Sequence, residues 1–348
     1  MKIDIASKTL EELKNEFAEA GEKPFRAGQV FSWLHKKNAT SFEEMSDISK
    51  NLRSFLSEKY IIYSCAIEKK LKSEYDGSIK YLFKLNDGEY IESVLMKYKY
   101  GYTVCVSTQV GCKMGCNFCA TAQGGFQRNL LPSEILSQIY VIQKDNDIRV
   151  SHVVLMGMGE PLDNYENVLR FLELVNSPDG NNLSMRNISL STCGIVPKIY
   201  DLAEKKLQLT LSVSLHAPDD DIRSGMMPVN KAYPIAELIK ACKYYIKLTS
   251  RRISFEYAMV NGVNDSDECA NMLSKLLKGM LCHVNLIPVN NVVENSYSKS
   301  SAKRIEAFSR ILEKHGITTT VRRSLGSDID ASCGQLRRRV TSGKEEQS

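Results

Sequence analysis

From Thr103 onward the chain alternates short β-rich runs with amphipathic helical periods, and this alternation is the strongest constraint on its fold. The expected strands are residues 103–106, 152–156, 188–191, 209–215, 253–259 and 283–287. Helical periods fall between them at 133–144, 165–176, 235–247 and 267–277, and a last one, 302–314, precedes the run 317–321. Six βα units at this spacing predict an α/β protein with a parallel sheet, either open or curled into a partial barrel. Its active groups belong at the carboxyl ends of the strands.

The segment before the alternation has other periods. Residues 9–63 are helical in pattern: Leu10, Leu13 and Phe17 share a face, Thr9 and Glu12 have capping-box spacing, and Gly21 suits a stop. Val30, Trp33 and Leu34 mark a second helix, and Ile48, Leu52, Phe55 and Leu56 a third, in a small module rich in Lys and Arg. Ile79, Tyr81, Phe83 and Leu85 alternate up to Asn86-Asp87-Gly88, and Tyr90, Glu92, Val94 and Met96 continue beyond it, the pattern of a β-hairpin. The expected organisation is a helical accessory domain at 1–65, a β-hairpin extension at 66–100, a barrel at 101–325, and a carboxyl-terminal segment at 326–348.

A chain of 348 residues with 43% hydrophobic and 25% charged residues is globular rather than disordered or fibrous. Its longest uncharged stretches fall far short of the roughly 18–20 apolar residues that span a bilayer, and its first residues lack a secretory pattern. A cytoplasmic protein without membrane contact is expected. The net charge of +5 permits a nucleic-acid partner without establishing one.

In a reducing compartment the ten cysteines point to metal binding, catalysis or burial rather than structural disulfides. Three of them, Cys112, Cys116 and Cys119, fall within eight residues after the first expected strand. The spacing CxxxCxxC also fits one face of a helix, but Gly111 and Gly115 within the segment and Gly124-Gly125 after it favour a wrapping loop. Structural zinc wants four protein ligands, and no fourth Cys or His lies close in sequence. Three thiolates suit an iron–sulfur cluster with one iron left open for a reacting ligand.

This motif resembles the defining signature of the radical S-adenosylmethionine (SAM) enzymes. The resemblance implies a partial (βα)6 barrel, a [4Fe-4S] cluster on Cys112, Cys116 and Cys119, and SAM on the open iron, cleaved by one electron to a 5′-deoxyadenosyl radical. Gly157-Met158-Gly159-Glu160-Pro161, directly after the second strand, resembles the stretch that contacts the methionine end of SAM.

From about Phe25 to Leu336 the chain is similar to one subfamily, the dual-specificity RNA methyltransferases that modify carbon 2 of adenine in 23S rRNA and tRNA. The likeness rests on Gln109-Val110-Gly111-Cys112, Cys119-Ala120-Thr121-Ala122-Gln123, Met156 to Leu162, Ser191-Thr192-Cys193-Gly194, Ser214-Leu215-His216-Ala217-Pro218, Asn285-Leu286-Ile287-Pro288 and Asp328 to Leu336. Carbon 2 lies between two ring nitrogens and is too electron-poor to attack the methyl of SAM, so a radical route is needed. The resemblance implies that Cys333 takes a methyl from one SAM, that the radical from a second SAM activates it, and that Cys105 releases the product through a transient Cys105–Cys333 disulfide. It also implies Glu92 as a proton acceptor, with the choice between Glu92 and Cys105 for the ring proton left open. Its SAM contacts are Gly159, Glu160, Ser191, Ser214, Leu215, His216 and Asn290.

Each of these residues has a plainer reading. Cys105 fits a buried strand thiol, Glu92 an exposed strand carboxylate, Cys333 a tail thiol, His216 a structural histidine and Ser191 a cap. Cys65, Cys193, Cys242, Cys269 and Cys282 read as buried bystanders. Lys69, Lys70 and Lys72, Lys97 and Lys99 among Tyr98, Tyr100 and Tyr102, and Arg337 to Arg339 suit phosphate contact and base stacking, or plain solvated surface. The expected partners are 23S rRNA, tRNA and an electron donor such as flavodoxin or ferredoxin, with the chain acting as a monomer. The rivals are methylation at carbon 8 of the same adenine, favoured less because Glu160-Pro161-Leu162 and Arg251 to Tyr257 look like the carbon 2 enzymes, a radical-SAM enzyme for a small molecule, and a non-catalytic zinc-bound RNA-binding protein.

Overall fold

Ten strands form a single sheet whose spatial order follows the chain. The computed structural model of the protein describes residues 2–289, 297–323, 325–326 and 328–329. The strands are β1 (Ala66–Lys72), β2 (Ile79–Lys84), β3 (Tyr90–Tyr98), β4 (Gly101–Cys105), β5 (Val150–Leu155), β6 (Ile188–Thr192), β7 (Thr210–Ser214), β8 (Ile253–Met259), β9 (Cys282–Pro288) and β10 (Thr318–Val321). Pairing from β1 to β4 is antiparallel and from β4 to β10 parallel. The six expected βα strands are therefore present, and 318–321 adds a seventh parallel strand at the edge.

Helices cross between the parallel strands: α4 (Pro132–Asn146), α5 (Tyr165–Asn176), α6 (Val196–Glu204), α7 (Ile235–Thr249), α8 (Asp267–Leu277) and α9 (Ala302–Lys314) follow β4 to β9 in turn. They are preceded by α1 (Leu10–Glu19), α2 (Pro24–His35) and α3 (Lys50–Lys59). β8, α5, α8 and α9 have the bounds that periodicity predicts. At α1, Thr9 Oγ1 accepts from the Glu12 amide at 3.2 Å and the Glu12 carboxylate accepts from the Thr9 amide at 2.7 Å, so the expected capping box is made. Among the described residues no helix is long and apolar enough to cross a membrane.

The antiparallel strands differ from a simple half-exposed hairpin. Tyr81 and Phe83 stack with ring centroids 5.4 Å apart on one face of β2, yet Lys80 and Leu82 on the other face are buried as well. β1, where sequence patterning shows only a charged run, is an exposed edge strand carrying Lys69, Lys70 and Lys72, which block further strand addition.

One continuous hydrophobic core joins the amino-terminal helices to the barrel, with Leu13, Phe17, Val30, Phe31 and Leu34 in the same cluster as Ile135, Ile139 and Leu155. The joint includes a polar contact: His35 of α2 is fully buried, with Nδ1 3.0 Å from the Tyr140 hydroxyl of α4. Burial pushes its pKa down to about 3. Below the ordinary histidine pKa of about 6.5 the unfolded chain binds this proton and the folded one does not, so stability falls as pH drops from about 6.5 towards 3. In urea unfolding between pH 6 and pH 4, His35→Gln is expected to remove about 1.4 kcal/mol per pH unit from the slope. Equal slopes in the two proteins would contradict this.

Candidate active site

The carboxyl ends of the parallel strands surround a cavity of about 400 Å³. Its lining comes from β3 (Val94, Met96, Tyr98), β4 (Cys105), β5 (Leu155), β6 (Ser191), β7 (Ser214), β8 (Glu256, Ala258) and β9 (Ile287, Pro288), so the sheet curls around it. Cys105, Cys112, Cys116, Cys119, Gly159, Glu160, Ser191, Ser214 and His216 all line this one space. The side chain of Leu215 is instead fully buried in the core behind it. Asn290 and Cys333 lie outside the described residues, as do Arg337, Arg338 and Arg339.

The cysteine loop is built on a short antiparallel ribbon, Gln109–Gly111 with Phe126–Asn129. Gly111 has φ +79°, and a Cβ there would stand 1.8 Å from the Gly125 carbonyl oxygen, so the ribbon closes only around glycine. The Cys112 amide then donates to Gly125 O at 2.9 Å, and the Asn117 amide donates to Met226 O at 3.0 Å, fixing both flanks of the loop. Burial pushes the Cys112 thiol up to about 12 and raises Cys116, with the neighbouring thiols and Glu160 acting in the same direction. Thiolates at these positions require a bound cation, which is what a cluster of iron ions supplies. Among the described residues no three His, Cys, Asp or Glu side chains converge closely enough for a single metal ion. The donor set is three thiols spread along one wall, and it fits a group larger than one ion.

Gln109 ties this loop to the turn after β5. Its Oε1 accepts from the Glu160 amide at 2.8 Å, and its Nε2 donates to Asn129 Oδ1 at 2.8 Å and Asp163 Oδ2 at 2.7 Å. Gly159 has φ +100°, and a Cβ there would come within 2.5 Å of the Gln109 side chain. Glu160 accepts from the Leu162 amide at 3.0 Å and the Cys193 amide at 2.7 Å; burial raises its pKa while these bonds hold the carboxylate in place. With Ser191, Ser214 and His216 it forms the wall that would hold SAM. His216 is no acid or base: Nδ1 accepts from the Ala258 amide at 2.9 Å, burial pushes its pKa down to about 3, and Phe118 of the cysteine loop packs edge-on at 4.8 Å.

Four features escape sequence patterning. Arg223, fully buried, donates to the carbonyls of Cys193 (2.7 Å), Ser214 (3.1 Å) and Leu215 (3.2 Å) and to Asn230 Oδ1 (2.8 Å), pinning the ends of β6 and β7. Glu256 accepts from Ser254 Oγ at 2.8 Å and Asn285 Nδ2 at 2.7 Å on the cavity wall. Cys193 is part of that wall too, packed among Met226, Met227 and Cys116 rather than lying apart from the site. Lys80 forms an ion pair with Glu92 at 3.0 Å, with side-chain exposures of 0% and 1%. Glu92 is thus a buried, charge-paired group on the strand face that carries Val94 and Met96. Only the β2–β3 register, not spacing along the chain, brings Lys80 to it.

Cys105 lies opposite Val94 in the β3–β4 ladder, in an apolar cluster with Val94, Met96, Val154, Met156 and Leu325. Leu325 brings the segment that leads to Cys333 against the cavity wall beside Cys105.

Replacing Arg223 by Met strands buried carbonyls at the ends of two strands and is expected to lower unfolding stability by about 3 kcal/mol. A loss below about 0.5 kcal/mol, measured by urea unfolding, would show that Arg223 does not hold these ends together.

Residues 106–273 match the Radical SAM superfamily, and residues 3–62 match the ribosomal RNA large subunit methyltransferase N-terminal domain. A Clostridium novyi protein named "Probable dual-specificity RNA methyltransferase RlmN" is 53% identical over 335 residues, covering 96% of this chain and 98% of the relative. A Thermoanaerobacter protein of the same name is 52% identical over 336 residues, covering 97% and 98%. The crystal structure of a radical SAM methyltransferase from Sphaerobacter thermophilus superposes with a TM-score of 0.92 at 42% identity, covering 96% of this chain and 98% of that one. The three-thiol loop, the curled parallel sheet and these full-length likenesses agree: the chain belongs to the RlmN family of radical-SAM RNA methyltransferases, which use SAM and a [4Fe-4S] cluster.

Proposed function

We propose that the protein methylates carbon 2 of an adenosine in 23S rRNA and of an adenosine beside the anticodon in tRNAs, through an S-methylcysteine on Cys333 and with two SAM molecules per turnover. The observation that carries this reading is Cys105, a thiol on the cavity wall packed against Leu325 of the segment that leads to Cys333. A small-molecule radical enzyme has no use for such a pair.

Cys112, Cys116 and Cys119 would hold the cluster, which with SAM and one electron from a carrier such as flavodoxin or ferredoxin would supply a 5′-deoxyadenosyl radical. Cys333, as thiolate, displaces the methyl of one SAM and becomes S-methylated. Its methyl group loses a hydrogen atom to that radical, and the resulting carbon radical bonds to carbon 2 of the adenine. The adduct radical loses one electron, which the oxidised cluster would take back, and Glu92 or Cys105 takes the ring proton. Lys80, 3.0 Å from Glu92, fixes the position of its carboxylate behind the cavity wall. Cys105, as thiolate, then attacks the Cys333 sulfur; the S–C bond breaks, the released methylene carbon takes up a proton to become the methyl group of the base, and a disulfide is left for cellular thiols to reduce. Cavity walls of Val94, Met96 and Met156 keep water from the radical steps.

The RNA docks on the antiparallel side, where Lys69, Lys72, Lys97 and Lys99 are exposed and Tyr98 stacks on Tyr100 with ring centroids 5.0 Å apart. The amino-terminal helical module, residues 1–65, serves as an accessory for the same RNA.

Cys333→Ala is expected to abolish methylation, and Cys105→Ala to accumulate a covalent protein–RNA adduct visible as a shifted band on a denaturing gel. Turnover by both variants would refute the scheme. Mass mapping of rRNA from a deletion strain decides the ring position: loss of the carbon 2 methyl is expected, and an unchanged carbon 2 signal with loss at carbon 8 would overturn it.

A further inference from the structure

The ten-stranded sheet ends at β10 on one side and β1 on the other, so the curled wall has a lateral gap. Residues 322, 323, 325, 326, 328 and 329 lie across that gap. At one end the Arg322 amide donates to Leu286 O of β9 at 2.8 Å, and Arg322 and Arg323 line the cavity. Midway, Leu325 packs against the Val94, Met96 and Cys105 cluster. At the far end the segment meets the turn between β1 and β2, where the Gly326 amide donates to Asp76 Oδ2 at 2.7 Å. Asp328 accepts there from Ser73 Oγ at 2.7 Å and from the Glu74 amide at 2.9 Å.

The clasp is reciprocal. The turn offers a carboxylate to an amide of the crossing segment, and the segment offers a carboxylate to a hydroxyl and an amide of the turn. The turn is shaped for this independently of the segment: Ser73 Oγ also accepts from the Tyr75 amide at 3.2 Å, and Asp76 Oδ1 accepts from the Ser78 amide at 2.8 Å. Two carboxylates that accept hydrogen bonds in opposite directions fix position along the segment as well as proximity.

We infer that Ser73 and Asp76 are positioning residues for methyl transfer: by clasping Asp328 and Gly326 they set how far Cys333 can travel over the cavity. The inference rests on the proposed role of Cys333. That residue is five positions beyond Asp328, a span of at most about 18 Å, whereas from the anchored Arg322 amide the span is eleven positions, up to about 40 Å. Loop-closure scaling over these lengths makes a release of the clasp worth about threefold in how often the thiol meets its partners.

The test uses the full-length, cluster-loaded enzyme with SAM, a reductant and RNA. Asp76→Ala, Asp328→Ala and the double variant, which removes both carboxylates of the clasp, are compared for the rate of Cys333 S-methylation, by peptide mass, and for the ratio of 5′-deoxyadenosine to methylated RNA. The expected result is an S-methylation rate about threefold lower and a ratio about threefold higher in the double variant, with a smaller change in the same direction in each single variant. Wild-type rates and ratios in both single variants would overturn the inference. So would equal losses of SAM cleavage and methylation that follow a lowered melting temperature, because that pattern marks a purely structural contact. If wild-type enzyme carries no S-methyl group on Cys333, the proposed function itself fails, and this outcome is read separately from the effect of the clasp.

Discussion

Three cysteine thiols held in one loop on the cavity wall beside a carboxylate form the constraint on which the rest of the structure depends. Burial first, and then the nearby Cys119 and Glu160, push the Cys112 thiol up to about 12, and Cys116 is raised for the same reasons, so a thiolate at either position needs a cation beside it. The neighbouring architecture keeps them in place until it arrives. Gly111 lets the ribbon close, Gln109 bonds the ribbon to the turn carrying Gly159 and Glu160, and Asn117 hangs the loop on Met226. Arg223 then locks the ends of β6 and β7 behind Cys193 and Ser214. These bonds join successive strand ends, which is why the site needs the whole curled sheet.

The cavity has two unlike sides. The parallel side presents backbone amides, hydroxyls and carboxylates at strand ends, the polar inventory suited to an amino acid such as the methionine end of SAM. The antiparallel side is apolar around Cys105, with the Lys80–Glu92 pair buried behind Val94. Desolvating two charges costs several kcal/mol each, and a hydrophobic pair of the same volume would pack there at no such cost. The pair is thus costly to stability, and in the proposed function its Glu92 is one of the two candidate acceptors of the ring proton. The antiparallel strands thus carry, besides their exposed lysines, a thiol, a carboxylate and the turn that meets the crossing segment.

Much of this was legible in the sequence. Helices α5, α8 and α9 are clean amphipathic periods, β8 alternates Ile253, Phe255, Tyr257 and Met259 with other residues, and the capping box at Thr9 is local, so their bounds follow from neighbours in the chain. The grouping of Cys112, Cys116 and Cys119 on one loop was legible for the same reason, since their spacing and the glycines around them are local. What escaped patterning depends on pairing between distant strands. β1 is a strand only because β2 offers it an edge, and its charged run carries no period. Lys80 meets Glu92 through strand register, Arg223 reaches carbonyls on two strand ends, and Cys193 meets Cys116 across the cavity. Spacing alone leaves a buried cysteine and a wall cysteine indistinguishable.

In the proposed scheme the transferred carbon passes through a radical on a protein-bound methyl group rather than moving intact from SAM. SAM bearing a fully deuterated methyl group distinguishes the two routes directly. The account predicts that the methyl group on the RNA retains two deuteriums and that the third appears in 5′-deoxyadenosine. A product methyl carrying all three deuteriums would contradict it.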